Sequence, residues 1–445
     1  MTDYKNDSVN SLFVRLLFPT LAGMLSGSVM NLTDGIFVGR LVNNMALAAV
    51  NVAAPLFMCV TGVALMFGIG CSVSASVALS QNDNRGADLH FSRGILFAVI
   101  ASMLIAYVAF FFKSKVAFLF GSTDLLQPYV IDYMTYTAPF MPFYAVMFSG
   151  LFLIRLDGSP GFAMFCNIIP SVLNIFLDWL FIAKFNLGIK GAAIATSISG
   201  VTGGLLVIFY LLFKSKRLKF TKIYRISMSE DTWYSTLLKQ FEIGFSGLLN
   251  EIAISVTLVA GNFAFGKLLH EPGVSAYGII CYCMPLLFMI NSAISASLQP
   301  IVSFDFGSKR YHRVRQALKL SLTSGLISSC IIAVLFNLFC QPLVALFVGD
   351  QCQAYSLAVY GLSLFSIGLP FSAVNVIAIG YCQSVNQAFN ATLYTFLRGY
   401  LFLILSFVFL PQIAGVNGLW LAVPATEILT FIVVLLSVKV KNINK

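Results

Sequence analysis

The sequence predicts an all-α integral membrane protein, with twelve transmembrane helices in two pseudo-symmetric six-helix bundles. Three observations carry that reading. Hydrophobic residues make up 59% of the 445, charged residues only 10%, and mean hydropathy is +0.89, whereas a soluble domain carries roughly 25% charge. The apolar runs are continuous and close to the ~20 residues a helix needs to cross a bilayer, without the alternation of a lipid-facing barrel strand. Finally, the chain aligns with its own second half at a constant shift of 266 − 39 = 227 residues. Val38-Gly39-Arg40-Leu41 falls on Phe265-Gly266-Lys267-Leu268, Gly188-x-x-Gly191 on Gly415-x-x-Gly418, and Ala49, Ala195 and Val207 on Ala276, Ala422 and Val434. Two similar halves of a membrane chain that enclose a site between them are typical of secondary transporters.

The first half, 1–213, holds six spans. Span 1 (15–38) enters at Arg15 and contains Pro19 and Asp34; span 2 (51–79) contains Pro55; span 3 (93–112) stops at Lys113. Span 4 (129–151) carries Pro139 and Pro142. Span 5 (162–183) carries Pro170, Asn174 and Asp178 and stops at Lys184, and span 6 (191–213) follows Gly188-Ile-Lys-Gly191 and stops at Lys214. A polar stretch, 214–235, joins the halves with Lys214, Lys216, Arg217, Lys219, Lys222 and Arg225, and reads as a cytoplasmic linker, either a solvated connector or one that touches anionic headgroups.

The second half, 236–445, repeats the pattern with spans 238–261, 275–300, 316–339, 354–379, 389–410 and 416–438. Its loop Ser308-Lys-Arg-Tyr-His-Arg313 falls on Gln81-Asn-Asp-Asn-Arg-Gly86 at the same shift. Six spans per half is an even number, so both halves enter the membrane in the same direction and an axis along the membrane normal relates them. Prolines inside the spans free carbonyls and permit bending.

The net charge of +10 is a topology signal. Of 27 Lys and Arg residues, 20 fall in or beside the loops of one side; Arg40, Lys113, Lys115, Lys184, Lys190 and Lys267 fall on the other, and Arg398 lies within a span. Basic residues stay cytoplasmic, so both termini are expected inside a cytoplasmic membrane, and nucleic acid is not an expected partner. The start, Met1-Thr-Asp-Tyr-Lys, has no small-residue cleavage site and reads as leading into a span that stays. Nine cysteines without a C-x-x-C read as packing residues. No G-x-x-x-x-G-K-[ST], no nucleophile–base constellation and no ligand spacing around His90, His270 or His312 appears, so neither ATP-driven nor enzymatic chemistry is expected and no cofactor is.

Charges within the spans single out the candidate residues, because an ionisable group at that depth costs roughly 2.5–3.5 kcal/mol on insertion scales and is functional by default. At a rise of about 1.5 Å per residue, Asp34 lies about 6 Å, and Asp178 and Thr196 about 8 Å, below the outer ends of their spans. Asn174 is one turn from Asp178, on the same face. Two carboxylates, an amide and a hydroxyl thus share one layer. Their oxygens suit a hard cation, Na⁺ on Asp34, Asn174 and Asp178; alternatively, the two carboxylates share a proton. Glu251, Glu427 and Arg398 lie deeper, about 15 Å in. Arg398 with Glu427 reads as a charge-neutralising pair, whereas Glu251 has Met24 at its repeat position and is open to contact with a cationic substrate or to a structural role.

These residues resemble the multidrug and toxic compound extrusion (MATE) family, of prokaryotic type, over nearly the whole chain. The stretches concerned are Pro19 through Asp34-Gly-Ile-Phe-Val-Gly-Arg40 with Ala46-Leu-Ala-Ala-Val50, Arg155-Leu-Asp-Gly-Ser-Pro160, Asn174-Ile-Phe-Leu-Asp178, Gly188-Ile-Lys-Gly-Ala-Ala-Ile-Ala-Thr196, Gln299-Pro300 and Gly307-Ser-Lys-Arg310. The resemblance implies two six-helix lobes opening outward as a V, a monomer, and export of small organic cations in exchange for Na⁺ or H⁺. In one branch of the family it also implies a first-lobe cation site at Asp34, Asn174, Asp178 and Thr196. Glu251 looks like the span-7 acid of a sodium-coupled branch, but span 10 reads Pro370-Phe-Ser-Ala-Val-Asn-Val without an acid. A related class, the lipid-linked saccharide flippases, is the rival reading; it calls for a cationic cavity, and the buried charges here are four acids against one arginine.

Overall fold

The structure is a computed structural model that describes residues 3–221, 232–345 and 353–443; Lys222 and Arg225 of the expected linker lie outside the described residues. Continuous apolar sequence with no competing strand pattern folds as helix throughout, and no strand occurs among the described residues. In chain order the helices are α1 (Val9–Leu41), α2 (Asn44–Ser80), α3 (Asn84–Phe111), a short α4 (Lys113–Leu119), α5 (Gln127–Thr137), α6 (Met141–Leu156), α7 (Pro160–Asp178) and α8 (Gly188–Phe209). The second half supplies α9 (Trp233–Gly307), α10 (Tyr311–Ala345), α11 (Gln353–Ser366), α12 (Leu369–Ser384), α13 (Ala388–Phe396) and α14 (Phe402–Ile443).

Among the described residues nine helical stretches are long and apolar enough to cross a membrane, and α11 with α12, bent by 52°, makes a tenth. The 75-residue α9 breaks at His270 (φ 55°, ψ −149°), and α14 breaks at Gly415 (φ 55°, ψ −131°). Counting the two sides of each break separately gives twelve passages, the expected number. The protein is therefore a multi-pass, all-helical membrane protein. Single wide turns of π-helix close two passages, at Trp179–Lys184 and Tyr210–Lys214, and interrupt a third at Leu397–Leu401.

The internal repeat recurs in the backbone at the same 227-residue shift. Asn82 (φ 62°) and Lys309 (φ 59°) both take left-handed conformations, as do Gly188 (φ 59°) and Gly415 (φ 55°). Side chains other than glycine rarely accept that region, so its recurrence at Asn82 and Lys309 marks one loop built twice. Its hydrogen bonds match as well: Asp83 N–H donates to the Ala78 carbonyl (2.9 Å) and Arg310 N–H to the Asp305 carbonyl (2.8 Å). Asn84 and Tyr311, again 227 apart, then open α3 and α10.

Two compact units form, Met1–Ile252 with Pro300–Val314, and Ala253–Gln299 with Arg315–Lys445. In the first, α1 lies along α7, and α2 packs on α3 and α6 around a core that includes Val60, Tyr133, Met141 and Tyr144. Glycines set its closest approaches: a Cβ at Gly70 would lie 2.1 Å from the Gln240 carbonyl oxygen, and one at Gly244 1.8 Å from that of Met66. In the second, Phe265, Tyr277, Leu362 and Trp420 centre the core, Phe265 stacking on Tyr277 with ring centroids 4.7 Å apart.

At the basic-loop end of the first unit, Asp157 is fully buried. It accepts from Tyr210 Oη (2.6 Å), Ser215 Oγ (3.1 Å) and the backbone N–H groups of Lys216 and Arg217 (2.7 Å for the latter). This carboxylate anchors the first residues of the linker. Beyond it the linker runs along α3, where Lys219 N–H donates to Asp88 (2.7 Å), Thr221 N–H to Ser92 (3.0 Å), and Phe220 packs on Phe91 at 4.6 Å.

Candidate ion-binding site

Asp34, in the penultimate turn and a half of α1, meets Asp178, the last residue of α7, because those two helices lie side by side. The wide turn Trp179–Lys184 begins immediately after Asp178 and closes the passage. The two carboxyl groups come within hydrogen-bonding reach of each other. Otherwise no donor among the described residues reaches Asp34 Oδ1, either oxygen of Asp178, or Oδ1 of Asn174 one turn earlier. Asn174 and Asp178 are buried, at 1% and 0% exposure.

That set of orphaned acceptors determines the chemistry available. Deprotonated carboxylates offer only lone pairs, so two of them in contact away from water repel unless a proton is shared or a cation lies between them. The residues present fit either occupant. Carboxylate and amide oxygens are the hard donors a Na⁺ ion takes, and the same two carboxyls hold a single proton equally well. Among the described residues no group of three His, Cys, Asp or Glu could hold a metal, which is the pattern softer or more highly charged ions use.

Thr196, on α8, belongs to the same neighbourhood through two tyrosines. Its side chain lies close to the Tyr133 hydroxyl, and its carbonyl accepts from Tyr144 Oη at 2.8 Å. Both phenols feel the charge of Asp34 and Asp178, and Phe57 braces them, its ring centroid 6.2 Å from that of Tyr133 and 5.8 Å from that of Tyr144. Neither tyrosine stands out in the sequence. Their one signal was a hydroxyl-bearing ring inside an apolar span, where a buried Tyr O–H needs a partner.

The remaining intramembrane charges lie elsewhere. Glu251, on α9, accepts from Thr61 Oγ1 of α2 at 3.3 Å, and its Cβ packs near Gly62. It is half-buried within the first unit and apart from the aspartate pair in the contacts it makes. In the second unit Arg398 and Glu427 pair bidentately: Arg398 Nη2 lies 2.7 Å from Glu427 Oε1, and Nε donates to both carboxylate oxygens at 2.8 and 3.0 Å. Asn375 Nδ2 donates to Glu427 Oε2 at 2.8 Å, and the guanidinium lies 5.7 Å from the Phe288 ring centre. The cation and anion cancel, so this cluster leaves no net charge.

Comparison with known proteins agrees with this architecture. The multidrug export protein MepA of Staphylococcus saprophyticus is 23% identical over 418 residues, covering 94% of this chain and 89% of that protein. A protein named FAD transporter, from Shewanella oneidensis, is 24% identical over 95% of this chain and 92% of its own length. A MOP superfamily transporter from Pyrococcus furiosus, described as having a binding pocket of reverse polarity, superposes with a TM-score of 0.91 at 18% identity, covering 98% of this chain and 97% of that one. The MatE family model matches twice, over residues 19–180 and again over 248–410. Matched across both of its halves, the chain belongs to the MatE family of membrane transporters.

Proposed function

We propose that this transporter is an antiporter of a cytoplasmic membrane, with both termini inside, which exports amphipathic organic cations in exchange for H⁺ or Na⁺ entering at Asp34 and Asp178. The observation that carries the reading is the carboxyl pair whose oxygens no protein donor satisfies. Such a pair favours a bound cation and is strained without one. Asn174 and Thr196 complete the oxygen set, and for Na⁺ the ligands are Asp34, Asn174 and Asp178. Tyr133 and Tyr144 position Thr196.

Coupling follows from competition for one negative centre. With the coupling cation bound, the pair loses the charge that attracts a cationic drug, and drug is released; when the cation leaves, the charge returns and drug is recaptured. A ligand shifts a two-state equilibrium only by its differential affinity for the two states, and here each cation supplies that difference against the other. Fold alone does not fix the sign of the cargo, so the charge of the site has to. The intramembrane arginine, Arg398, is already neutralised by Glu427, which disfavours the flippase reading.

Everted vesicles given a pH gradient alone, and then a sodium gradient alone, test the proposal. Accumulation of a fluorescent organic cation under one gradient, against its own concentration, is the expected result. Accumulation under neither, or transport of FAD with no transport of the cation, overturns it.

A further inference from the structure

The 227-residue repeat allows the same groove to be inspected twice. In the first half, the basic-loop end of α3 is covered by the linker: Leu218 is fully buried in the cluster that includes Phe91 and Ile95, with Val99 packed against it. Asp88 and Ser92 hold the Lys219 and Thr221 N–H groups from beneath. The equivalent positions on α10 are Arg315 for Asp88, Leu318 for Phe91, Lys319 for Ser92, Leu322 for Ile95 and Leu326 for Val99. With Thr323, these side chains line a shallow, open apolar hollow along the exposed face of α10. Both polar anchors have become cations, while the leucines keep the apolar floor. Tyr381 of α12 lies within electrostatic reach of Arg315.

We infer that an anionic phospholipid occupies this α10 groove, in the place the linker holds on α3. Its phosphate sits on the Arg315 guanidinium and the Lys319 ammonium, which lie one turn apart on one helix face, and an acyl chain runs along Leu318, Leu322 and Leu326. Arginine is suited to bidentate contact with a phosphate, and lysine adds a point charge. Basic pockets beside membrane helices recognise anionic headgroups on these grounds.

The test is native mass spectrometry of the full-length protein after exchange into vesicles of equal phosphatidylglycerol and phosphatidylcholine. The wild type retains phosphatidylglycerol in preference, and Arg315→Gln with Lys319→Gln lowers that affinity by roughly thirtyfold, at about 1 kcal/mol per basic residue. Leu322→Trp, which fills the floor and keeps both cations, also displaces the lipid. Lys214→Gln with Lys216→Gln, on the linker side, leaves retention unchanged. Equal retention of the two lipids by the wild type, or undiminished phosphatidylglycerol on the Arg315/Lys319 variant, overturns the assignment. Protection by glycerol phosphate equal to that by the whole lipid also overturns it, since the acyl chain is then idle.

Discussion

Asp34→Asn separates the two tasks a buried carboxylate performs. The substitution keeps the shape and removes one charge from a pair in mutual contact. At about 4 Å and an effective dielectric of about 20, a carboxylate and a monovalent cation attract by about 4 kcal/mol. Losing that term weakens the bound cation by nearly a thousandfold, at tenfold per about 1.4 kcal/mol, so gradient-driven transport stops. Stability moves the other way. The new amide offers Asp178 a donor where none existed, relieving an unsatisfied buried acceptor worth about 1–3 kcal/mol. Three measurements on one variant check this: drug-resistance growth, lost; membrane expression, intact; thermal unfolding in detergent, at a higher midpoint than wild type. Resistance retained at the wild-type level refutes the coupling role. A lower unfolding midpoint shows instead that Asp34 is a structural acceptor.

Three further outcomes follow from the same geometry. For a proton-coupled site, a cationic drug competes with protons, so its affinity rises as pH rises while the carboxyls lose their shared proton; calorimetric titration across pH should show this slope, and Asp34→Asn should flatten it. Arg398→Ala leaves Glu427 buried and unpaired and should cost about 3–5 kcal/mol, whereas replacing both partners by Met and Leu should recover most of that loss; unfolding midpoints of the two variants decide. Asp157→Ala strands Tyr210 Oη and the Lys216 and Arg217 N–H groups, at about 1–3 kcal/mol for each unsatisfied donor, and should expose the linker to faster protease cleavage than in the wild type.

Much of the fold could be read from sequence because lipid imposes one rule: every span must be a continuous apolar helix that satisfies its own backbone. Where that rule is silent, local sequence is a weaker guide. Nothing in Leu397-Arg-Gly-Tyr-Leu401 announces a π turn, since no proline or paired glycine marks it. The break before Pro370 has a local sign, and the reversal at His270 falls in the gap between the spans 238–261 and 275–300, beside Pro272-Gly273. The site divides in the same way. Asp34, Asn174 and Asp178 stood out because charge and amide are costly in lipid, and the structure brings the two carboxyls together. Tyr133 and Tyr144 did not stand out, because aromatic rings inside spans are ordinary packing and only the α5, α6 and α8 geometry turns their hydroxyls onto Thr196. Asp157 looked like a loop residue, because its partners are 53 to 60 positions further along the chain.

The doubled scaffold has not kept doubled charges, and packing now enforces the difference. At the 227-residue shift, Asp34 answers to Gly261 and Glu427 to Gly200. Each of these glycines has a tyrosine ring pressed against it: a Cβ at Gly261 would sit 2.1 Å from the Tyr277 ring, and one at Gly200 2.1 Å from the Tyr144 ring. Neither copy can therefore recover its twin's acid by a single codon change without first evicting an aromatic neighbour. The division of labour between the copies is held in place by steric occlusion.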